Sequence, residues 1–365
     1  MGFSIKIFKG GNFMKKFLSI FLCALLVLSL CATAFADDAK PSWVRDDPDS
    51  IGKTVVVYST LDDPQQATVE GIWYEWYPNC TIEWYNDSVG KLVARARSEI
   101  NNPAADVIMG GLFESDGTTY HDVLEPYTPS IADELDRLDP YGYYSFFDVQ
   151  YMALVVNTEL RDELGIKIEG YEDLLQPELK GKIILADPAA TSSGYRQLHT
   201  ILALMGDEIN DDKAWDYLDK LIANCDGVIT TSSSTVFKSV INGEYVVGLT
   251  YENIVQMQIE KNGADNIELV YMKEGNTACA SGAGKVKGCP HPDAADAFLD
   301  FCSSVEYQQA RSVDNCARGV NKGIIYGNYP SDSEIGVVPI DWEWLGGEKQ
   351  AILDKFAEHW AQYAG

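Results

Sequence analysis

Residues 183–196 read IILADPAATSSGYR, a short apolar strand that runs into a serine cluster opening a helix. Residues 228–238, VITTSSSTVFK, have the same arrangement. The N-terminus of a helix has unpaired N–H groups and a partial positive charge, so it attracts anions and sugar oxygens. Serine is also a common helix cap, and for either cluster taken singly capping and ligand binding are equal alternatives. Two such helix starts in one lobe favour a cradle for a small ligand over a catalytic centre.

The N-terminal residues have the layout of a secretory signal peptide. Lysines precede an apolar run over residues 17–30, and Ala34-Phe35-Ala36 supplies a small-x-small cleavage site. The apolar run is too short for a transmembrane helix. We therefore predict a signal peptide over residues 1–36, cleavage near Ala36, an N-terminal tether over residues 37–52, and a mature protein in the periplasm or at the outer face of the cytoplasmic membrane. Lipidation of Cys31 is the alternative, although Leu30 is larger than a lipoprotein signal allows.

The charge of the chain excludes some partners. The net charge is −27, and residues 1–36 contribute four lysines and no acid, so the mature chain carries −31. Nucleic acids and anionic membrane surfaces need clusters of Lys and Arg, and neither is an expected partner. A small anion stays possible, because backbone N–H groups and one or two local cations can hold it in an acidic protein.

Cysteine usage leaves two possibilities open. The mature chain has six cysteines, at positions 80, 225, 279, 289, 302 and 316. An even number outside the cytosol permits disulfides, and the pairs nearest in sequence are Cys279–Cys289 and Cys302–Cys316. Free buried thiols are the alternative. The absence of a Cys-x-x-Cys spacing argues against zinc or redox chemistry.

Strand and helix patterns alternate along the mature chain, which predicts α/β lobes built on parallel sheets that bind ligands at the carboxyl ends of their strands. Residues 138–148, rich in aromatics and turn formers, interrupt the alternation, and a strand resumes at residues 151–157. We predict that lobe 1 comprises residues 53–150 and 272–310 and that lobe 2 comprises residues 151–271. Residues 311–365 are predicted to form a C-terminal helical segment packed across both lobes. A cleft between lobes that hinge is the geometry of a ligand-capturing protein.

Several segments, taken in order, resemble the bacterial extracellular solute-binding proteins of ABC importers, in the branch that binds ferric ion, thiamine, phosphonates and sugar phosphates. The resemblance covers nearly all of the mature chain, and its segments are VVVYST at 55–60, NPAADVIMGG at 102–111, LKGKI at 179–183, NGEYVVGLTYE at 242–252 and KGCPHPDAA at 287–295. It implies the two-lobed type II periplasmic binding protein fold, with the ligand between the lobes. It also implies a monomer that delivers its ligand to a membrane permease and its ATPase, with no cofactor and no bond made or broken.

The resemblance to this branch of the family does not identify the ligand. Ferric-ion members carry adjacent tyrosines just after the strand that corresponds to residues 245–250, whereas this chain reads Tyr251-Glu252. Iron is therefore the alternative, and the expected ligand is a sugar phosphate or an organophosphonate. No histidine has metal-ligand spacing, so no metal-ligating residue is predicted.

The expected ligand-binding residues lie at strand ends and helix starts: Ser59, Thr60, Gly111, Glu114, Ser192, Ser193, Gly194, Ser233, Ser234, Tyr251 and Glu252. Glu252 is expected to accept hydrogen bonds from sugar hydroxyls or to pair with an ammonium group, unless it is only a solvated carboxylate at a helix start. Arg196 is either a surface charge or the partner of a phosphate. Tyr143 and Tyr144 belong either to the cleft wall or to the core.

Two other classes of protein compete with transport. A secreted hydrolase would need an activated nucleophile, and the chain has no Gly-x-Ser-x-Gly elbow. A sensor-associated or adhesin-like binding protein would have the same fold with a signalling partner, and the sequence does not separate it from a transport protein.

Overall fold

The computed structural model describes residues 40–327 and 329–363. The predicted signal peptide, its cleavage site and Cys31 lie outside these residues, as does the start of the predicted tether. From Trp43 onward the predicted tether is packed against lobe 1: the Trp43 ring lies 5.3 Å from the ring of Phe301, and its Nε1 donates to Glu306 at 2.9 Å. Burial of this indole accounts for the ordered course of the segment.

Lobe 1 contains a mixed sheet in which strands alternate with helices along the chain. The strands and helices of this lobe are β1 Thr54–Ser59, α1 Asp63–Trp76, β2 Thr81–Asn86, α2 Val89–Ser98, β3 Val107–Phe113, β4 Leu124–Glu125, β5 Ser145–Asn157, β10 Ala278–Val286, α8 Pro292–Ser303 and α9 Val305–Asn315. The strand order is β2-β1-β3-β10-β5. β1 pairs in parallel with β2 and β3, whereas β10 runs antiparallel to β3 and β5.

Lobe 2 contains a second sheet, which shares β5 with the first. The further elements of this lobe are α3 Thr158–Leu164, β6 Ile183–Ala186, α4 Ser192–Leu204, α5 Asp212–Cys225, β7 Ile229–Thr230, α6 Ser233–Ile241, β8 Val247–Tyr251, α7 Glu252–Glu260 and β9 Ile267–Val270. The strand order is β9-β5-β8-β6-β7, and β6 pairs in parallel with both β7 and β8. A separate hydrophobic core lies under the helices, around Trp215 and Tyr171.

Strand β5 belongs to both sheets. Its first half pairs with β10 in lobe 1, and its second half, from Met152, pairs with β8 and β9 in lobe 2. The interruption predicted at residues 138–148 therefore ends earlier than expected, because Ser145–Phe147 already belong to the strand. Nearly every residue of β5 is buried, so the aromatics there are strand residues packed on both faces.

The C-terminal helix α10, Trp342–Tyr363, contacts both lobes. Ile352 and Phe356 join the core of lobe 2, while Lys349 forms an ion pair with Asp116 of lobe 1 at 3.1 Å. This helix lies within the predicted C-terminal segment of residues 311–365 and begins at Trp342. The predicted start of that segment, at residue 311, falls inside helix α9, which ends at Asn315. In the part of the chain that the structure describes, no helix combines the length and apolar character needed to cross a bilayer.

The two nearest-neighbour disulfide pairs are not formed: all six cysteines from Cys80 to Cys316 are free thiols. The geometry excludes the first pair. Cys279 lies near the start of β10 and Cys289 beyond its end. An extended strand rises about 3.3 Å per residue, which separates the two by more than about 20 Å. A disulfide needs Cα atoms within about 7 Å.

Candidate ligand-binding cleft

A polar cavity of about 630 Å³ opens where the carboxyl ends of strands from both lobes meet. Thr60 and Gly110–Gly111 line the lobe 1 side, together with Ser88 at the start of α2. Gly110 and Gly111 have φ values of +83° and +73°, a region that favours glycine. A Cβ atom at Gly110 would lie 2.4 Å from Thr60 Oγ1, so these glycines allow the loop after β1 to approach β3 closely.

The lobe 2 side is formed by the two serine-led helix starts. Thr191 caps α4 by accepting a hydrogen bond from the Gly194 N–H at 3.0 Å, which leaves Ser192 and Ser193 at the cavity. Ser233 opens α6, and its Oγ lies 2.6 Å from Ser193 Oγ. The two helix N-termini therefore converge on one point of the cleft. Their N–H groups and hydroxyls can together hold an oxyanion.

The floor of the cleft is a row of charged and amide side chains. Asp148 and Gln150 project from the same face of β5, as the two-residue period of a strand requires, and both line the cavity. Gln150 accepts a hydrogen bond from Nη2 of Arg196 and donates to Asp148 Oδ2 at 3.1 Å. Arg311, from α9, forms the other end of the row with its Nη2 3.7 Å from Asp148 Oδ2.

Both arginines of the row are held against aromatic rings. The Arg196 guanidinium lies 4.1 Å from the ring centre of Phe113, and that of Arg311 lies 4.9 Å from that of Phe147. Such contacts are attractive and fix the orientation of a guanidinium plane. The cleft floor is therefore a preorganised cationic surface in an otherwise strongly acidic protein.

Arg196 is buried with part of its hydrogen-bonding capacity unused. Its exposed fraction is 3%, and its Nε and Nη1 have no hydrogen-bond partner among the described residues. Burial lowers the pKa of Arg196, but guanidinium groups stay charged in proteins. A buried charge with unpaired N–H groups is costly, so a ligand oxygen that reaches them gains more than it would at the surface.

Six of the predicted site residues line the cavity: Thr60, Gly111, Ser192, Ser193, Ser233 and Tyr251. The other five do not line it. Ser59 is fully buried, and its Oγ accepts a hydrogen bond from the Leu61 N–H at 3.0 Å. Ser234 is exposed, with its Oγ 3.1 Å from Ser232 Oγ.

Gly194 has a packing role, since a Cβ there would lie 2.4 Å from the carbonyl oxygen of Ala186. The absence of a side chain lets α4 start directly against the end of β6.

The two predicted carboxylates point elsewhere. Glu114 accepts from the Ala280 N–H at 2.7 Å and faces Arg137. Glu252 forms a buried ion pair with Arg318 at 2.8 Å on the far side of the hinge. Burial raises the pKa of Glu252, and the Arg318 contact opposes the rise. The placement of these two carboxylates does not support a role in holding the ligand.

Several cleft residues were not predicted, among them Asp148, Gln150, Phe113, Ser281 and Arg311. One signal was available for Arg196. It follows Ser193 by three residues on α4, and residues three apart share a helix face. Tyr143 and Tyr144 do not line the cavity: Tyr143 stacks on His121 with 3.8 Å between ring centres, and Tyr144 is buried in the core of lobe 1.

The described residues contain no cluster of the side chains that usually bind metal ions. Across residues 40–327 and 329–363, no three His, Cys, Asp or Glu side chains come together in a way that could hold a metal ion. Tyr251 lines the cleft, and burial raises the pKa of its phenol, with Arg196 opposing the rise. In the ligand-free protein this side chain is therefore a neutral phenol.

Two α/β lobes that share a hinge strand, with a polar cleft between them, define a solute-binding protein of the type II periplasmic class. The chain belongs to the bacterial extracellular solute-binding protein family, whose model matches residues 100–321. This membership places the protein outside the cytoplasm and among binding proteins.

Two relatives match over most of the chain. An uncharacterized protein of Haemophilus influenzae is 31% identical over 283 residues, which are 74% of this chain and 80% of the relative. A probable ABC transporter periplasmic-binding protein of Sinorhizobium fredii, y4fP, is 24% identical over 315 residues, 83% of this chain and 79% of the relative.

Solved structures show the same fold. The periplasmic binding protein AfuA from Actinobacillus pleuropneumoniae, with exogenous fructose-6-phosphate bound, superposes with a TM-score of 0.71 at 24% identity, covering 85% of this chain and 99% of AfuA. Iron-bound HitA from Pseudomonas aeruginosa gives a TM-score of 0.70 at 19% identity, covering 84% and 99%. These likenesses support the two-lobed fold. The hydrolase alternative receives no support from them.

Proposed function

We propose that this protein is the solute-binding component of an ABC importer and that it captures a sugar phosphate or an organophosphonate by closure of its lobes. The observation that carries the ligand class is Arg196, a buried cation that lies at a cavity lined by Ser193 and Ser233 and whose Nε and Nη1 have no hydrogen-bond partner within residues 40–327 and 329–363. A phosphoryl group offers several strong acceptor oxygens and negative charge to this set of donors.

The charges of the cleft favour an anion over a metal ion. Arg196 and Arg311 both line the cavity, and Asp148 is the acidic residue that lies between them. A cationic ligand would meet two guanidinium groups at short range, where repulsion in a partly desolvated site is large. The ferric-ion alternative is further disfavoured by the residue after Tyr251, because Glu252 stands where ferric-ion members carry a second tyrosine and is paired with Arg318 outside the cavity.

The size of the cavity favours an organic anion. A volume of about 630 Å³ lies within the range of roughly 300–1,000 Å³ typical of small-molecule sites. The fructose-6-phosphate of the AfuA structure is a ligand of this kind in a protein of the same fold. Thr60 and Ser88, on the opposite side of the cleft from the serine-led helices, would contact the remainder of the ligand when the lobes close.

Delivery of the ligand to the membrane is part of the proposed function. An ABC permease and its ATPase would receive the closed complex, as the name of the Sinorhizobium relative suggests for that protein. We further propose that the mature protein is a monomer, released by cleavage near Ala36, and that it carries out no chemical step on its ligand. Intact mass of the secreted protein tests the cleavage position, and light scattering tests the monomer.

The ligand class is tested by a thermal-shift screen followed by titration calorimetry with glucose 6-phosphate, 2-aminoethylphosphonate, ferric citrate, thiamine and spermidine. A ligand at a hundredfold excess over its Kd stabilises the protein by about 2.7 kcal/mol. We expect a phosphorylated compound or a phosphonate to produce this shift. Stabilisation by iron alone, or by a cationic compound alone, would contradict the proposal.

The variant Arg196→Gln tests whether the ligand binds at Arg196. Loss of a charge-assisted contact should weaken phosphate-ester binding by about 1.5–3 kcal/mol, or roughly ten- to hundredfold. Lys238→Gln, at an exposed position of α6, is the matched control for loss of one positive charge and should leave affinity nearly unchanged. If the Arg196→Gln variant binds the phosphate ester as tightly as the unmodified protein does, the ligand does not bind at Arg196.

A further inference from the structure

Asp148 is an acidic side chain at the centre of an anion-binding floor. Its exposed fraction is 3%, it lines the cavity, and its Oδ1 has no hydrogen-bond partner among the described residues. The other carboxylate oxygen, Oδ2, accepts a hydrogen bond from Gln150. One oxygen is thus committed to the protein and the other is unpaired.

The position of Asp148 cannot be explained by a strong ion pair. Arg311 is 3.7 Å from Oδ2, longer than the distance of about 2.7–2.9 Å expected for a charge-assisted hydrogen bond. A buried carboxylate with an unpaired oxygen is costly to the fold, and such a cost is commonly found where a site needs the group for recognition. A ligand atom that donates a hydrogen bond to Oδ1 would remove this cost.

We infer that the cleft selects organic anions that carry a hydrogen-bond donor, a hydroxyl or an ammonium group, positioned to reach Asp148 Oδ1 while the anionic group binds at Arg196 and the serine-led helix starts. The inference rests on the proposed function and deepens it by making Asp148 the residue that determines specificity. Anions without such a donor bring a lone pair toward a buried carboxylate and are rejected.

Recognition by a buried hydrogen-bond acceptor is asymmetric. A site with a buried acceptor discriminates strongly against a ligand that lacks the matching donor, because the acceptor then stays unpaired in the complex. Gln150 is hydrogen-bonded to both Asp148 and Arg196, so the donor and the anionic group bind at two separate polar groups of the cavity. The ligand therefore needs two chemically distinct arms.

The test compares ligands on the unmodified protein at pH 8, where phosphate monoesters are dianionic. Glucose 6-phosphate carries hydroxyl donors, 2-aminoethylphosphonate carries an ammonium donor, and methyl phosphate has neither. Inorganic phosphate has no second arm. We expect one of the first two to bind at least about ten- to hundredfold more tightly than methyl phosphate and inorganic phosphate.

The variant Asp148→Asn keeps the size of the side chain and removes its charge. Its preference for the donor-bearing ligand over methyl phosphate should fall by tenfold or more, and methyl phosphate should bind more tightly than it does to the unmodified protein. Asp216→Asn, at an exposed position of α5, is the control for loss of one negative charge and should keep the preference.

The outcomes separate the two claims. If none of the phosphorylated compounds or the phosphonate binds the unmodified protein, both the proposed ligand class and this inference fail. If they bind but methyl phosphate or inorganic phosphate binds as tightly as the best of them, the inference alone is overturned. Full retention of the preference in a folded Asp148→Asn protein would also overturn it.

Discussion

The hydroxyl oxygens of Ser193 and Ser233 lie 2.6 Å apart, although forty residues separate the two serines in the chain. Each serine stands in the first turn of its helix, so the contact joins the N-termini of α4 and α6. Each hydroxyl has one hydrogen, and the shared hydrogen bond uses one of the two, so the pair can direct the other toward a ligand oxygen. The contact makes one anion-binding surface from two helix starts.

A double-mutant cycle on this pair should show coupling. Ser193→Ala and Ser233→Ala should each weaken binding of the phosphorylated ligand by about 0.5–1.5 kcal/mol, and the double variant by less than the sum, because each single change already breaks the shared hydrogen bond. Calorimetric Kd values provide the measurement. Ser234→Ala, at the exposed neighbouring serine, is the control and should change neither affinity nor stability. Strict additivity would mean that the two serines contribute to binding independently, and unchanged affinity in both single variants would mean that neither contacts the ligand.

Gly111 should not tolerate a side chain. Its φ is +73°, and a Cβ would lie 2.8 Å from Val89 Cβ. Gly111→Ala should therefore lower the free energy of unfolding by about 1–3 kcal/mol and weaken ligand binding, since the residue lines the cleft. Chemical denaturation gives the stability change.

Gly90 provides a control of opposite sign. It lies in α2, next to Val89, and a Cβ there would have no neighbour within 4 Å. Gly90→Ala should raise stability by about 0.5–1 kcal/mol, because alanine has the higher helix propensity. Equal changes in the free energy of unfolding for the two substitutions would mean that an alanine at position 111 meets no backbone strain.

The alternation of strands and helices was predictable because its signals are local: apolar runs, helix caps and turns. The serine-led helix starts belong to this class, and the structure has both. The cleft floor was not predictable in the same way. Asp148 lies in a strand whose start looked like an aromatic break, and Arg311 was assigned to the C-terminal helical segment, whereas the structure places it on α9 at the cleft. Their meeting depends on long-range packing that no local pattern encodes.

Side-chain direction at a strand end is also a long-range property. Tyr251 and Glu252 are adjacent, yet Tyr251 lines the cleft and Glu252 turns to the other side of the hinge. The deciding contact for Glu252 is Arg318, which lies 66 residues further along the chain. The sequence could therefore locate the strand ends that meet at the cleft, but it could not show which side chain at each end faces the ligand.

The cysteines should behave as inert thiols in the native protein. Burial raises the pKa of Cys80 to about 11 and that of Cys279 and Cys289 to about 12, so little thiolate is present at neutral pH. We expect a thiol reagent to label the native protein slowly and to label all six cysteines after denaturation. A reductant should not change the melting temperature. A fall in melting temperature on reduction, or fewer than six labels in the denatured chain, would reveal a disulfide.

His199 should make stability depend on pH. The side chain is fully buried on α4, neither ring nitrogen has a hydrogen-bond partner among the described residues, and burial together with the charges of Arg196 and Lys349 lowers its pKa to about 3. The imidazole is thus neutral in the folded protein, whereas in the unfolded chain it takes up a proton below its ordinary pKa of about 6.5. Its contribution to stability is fully present above pH 6.5 and is lost as the pH falls toward 3.

The measurement is the free energy of unfolding between pH 4 and pH 8 for the unmodified protein and for His199→Phe, which keeps an aromatic ring against Tyr195 and Trp342. Carboxylates titrate in both proteins, so the difference between the two curves isolates the histidine. That difference should change by up to about 1.4 kcal/mol per pH unit below pH 6, in the direction of relative loss for the unmodified protein. A difference that stays constant across this range would mean that His199 binds its proton equally well in the folded and unfolded states.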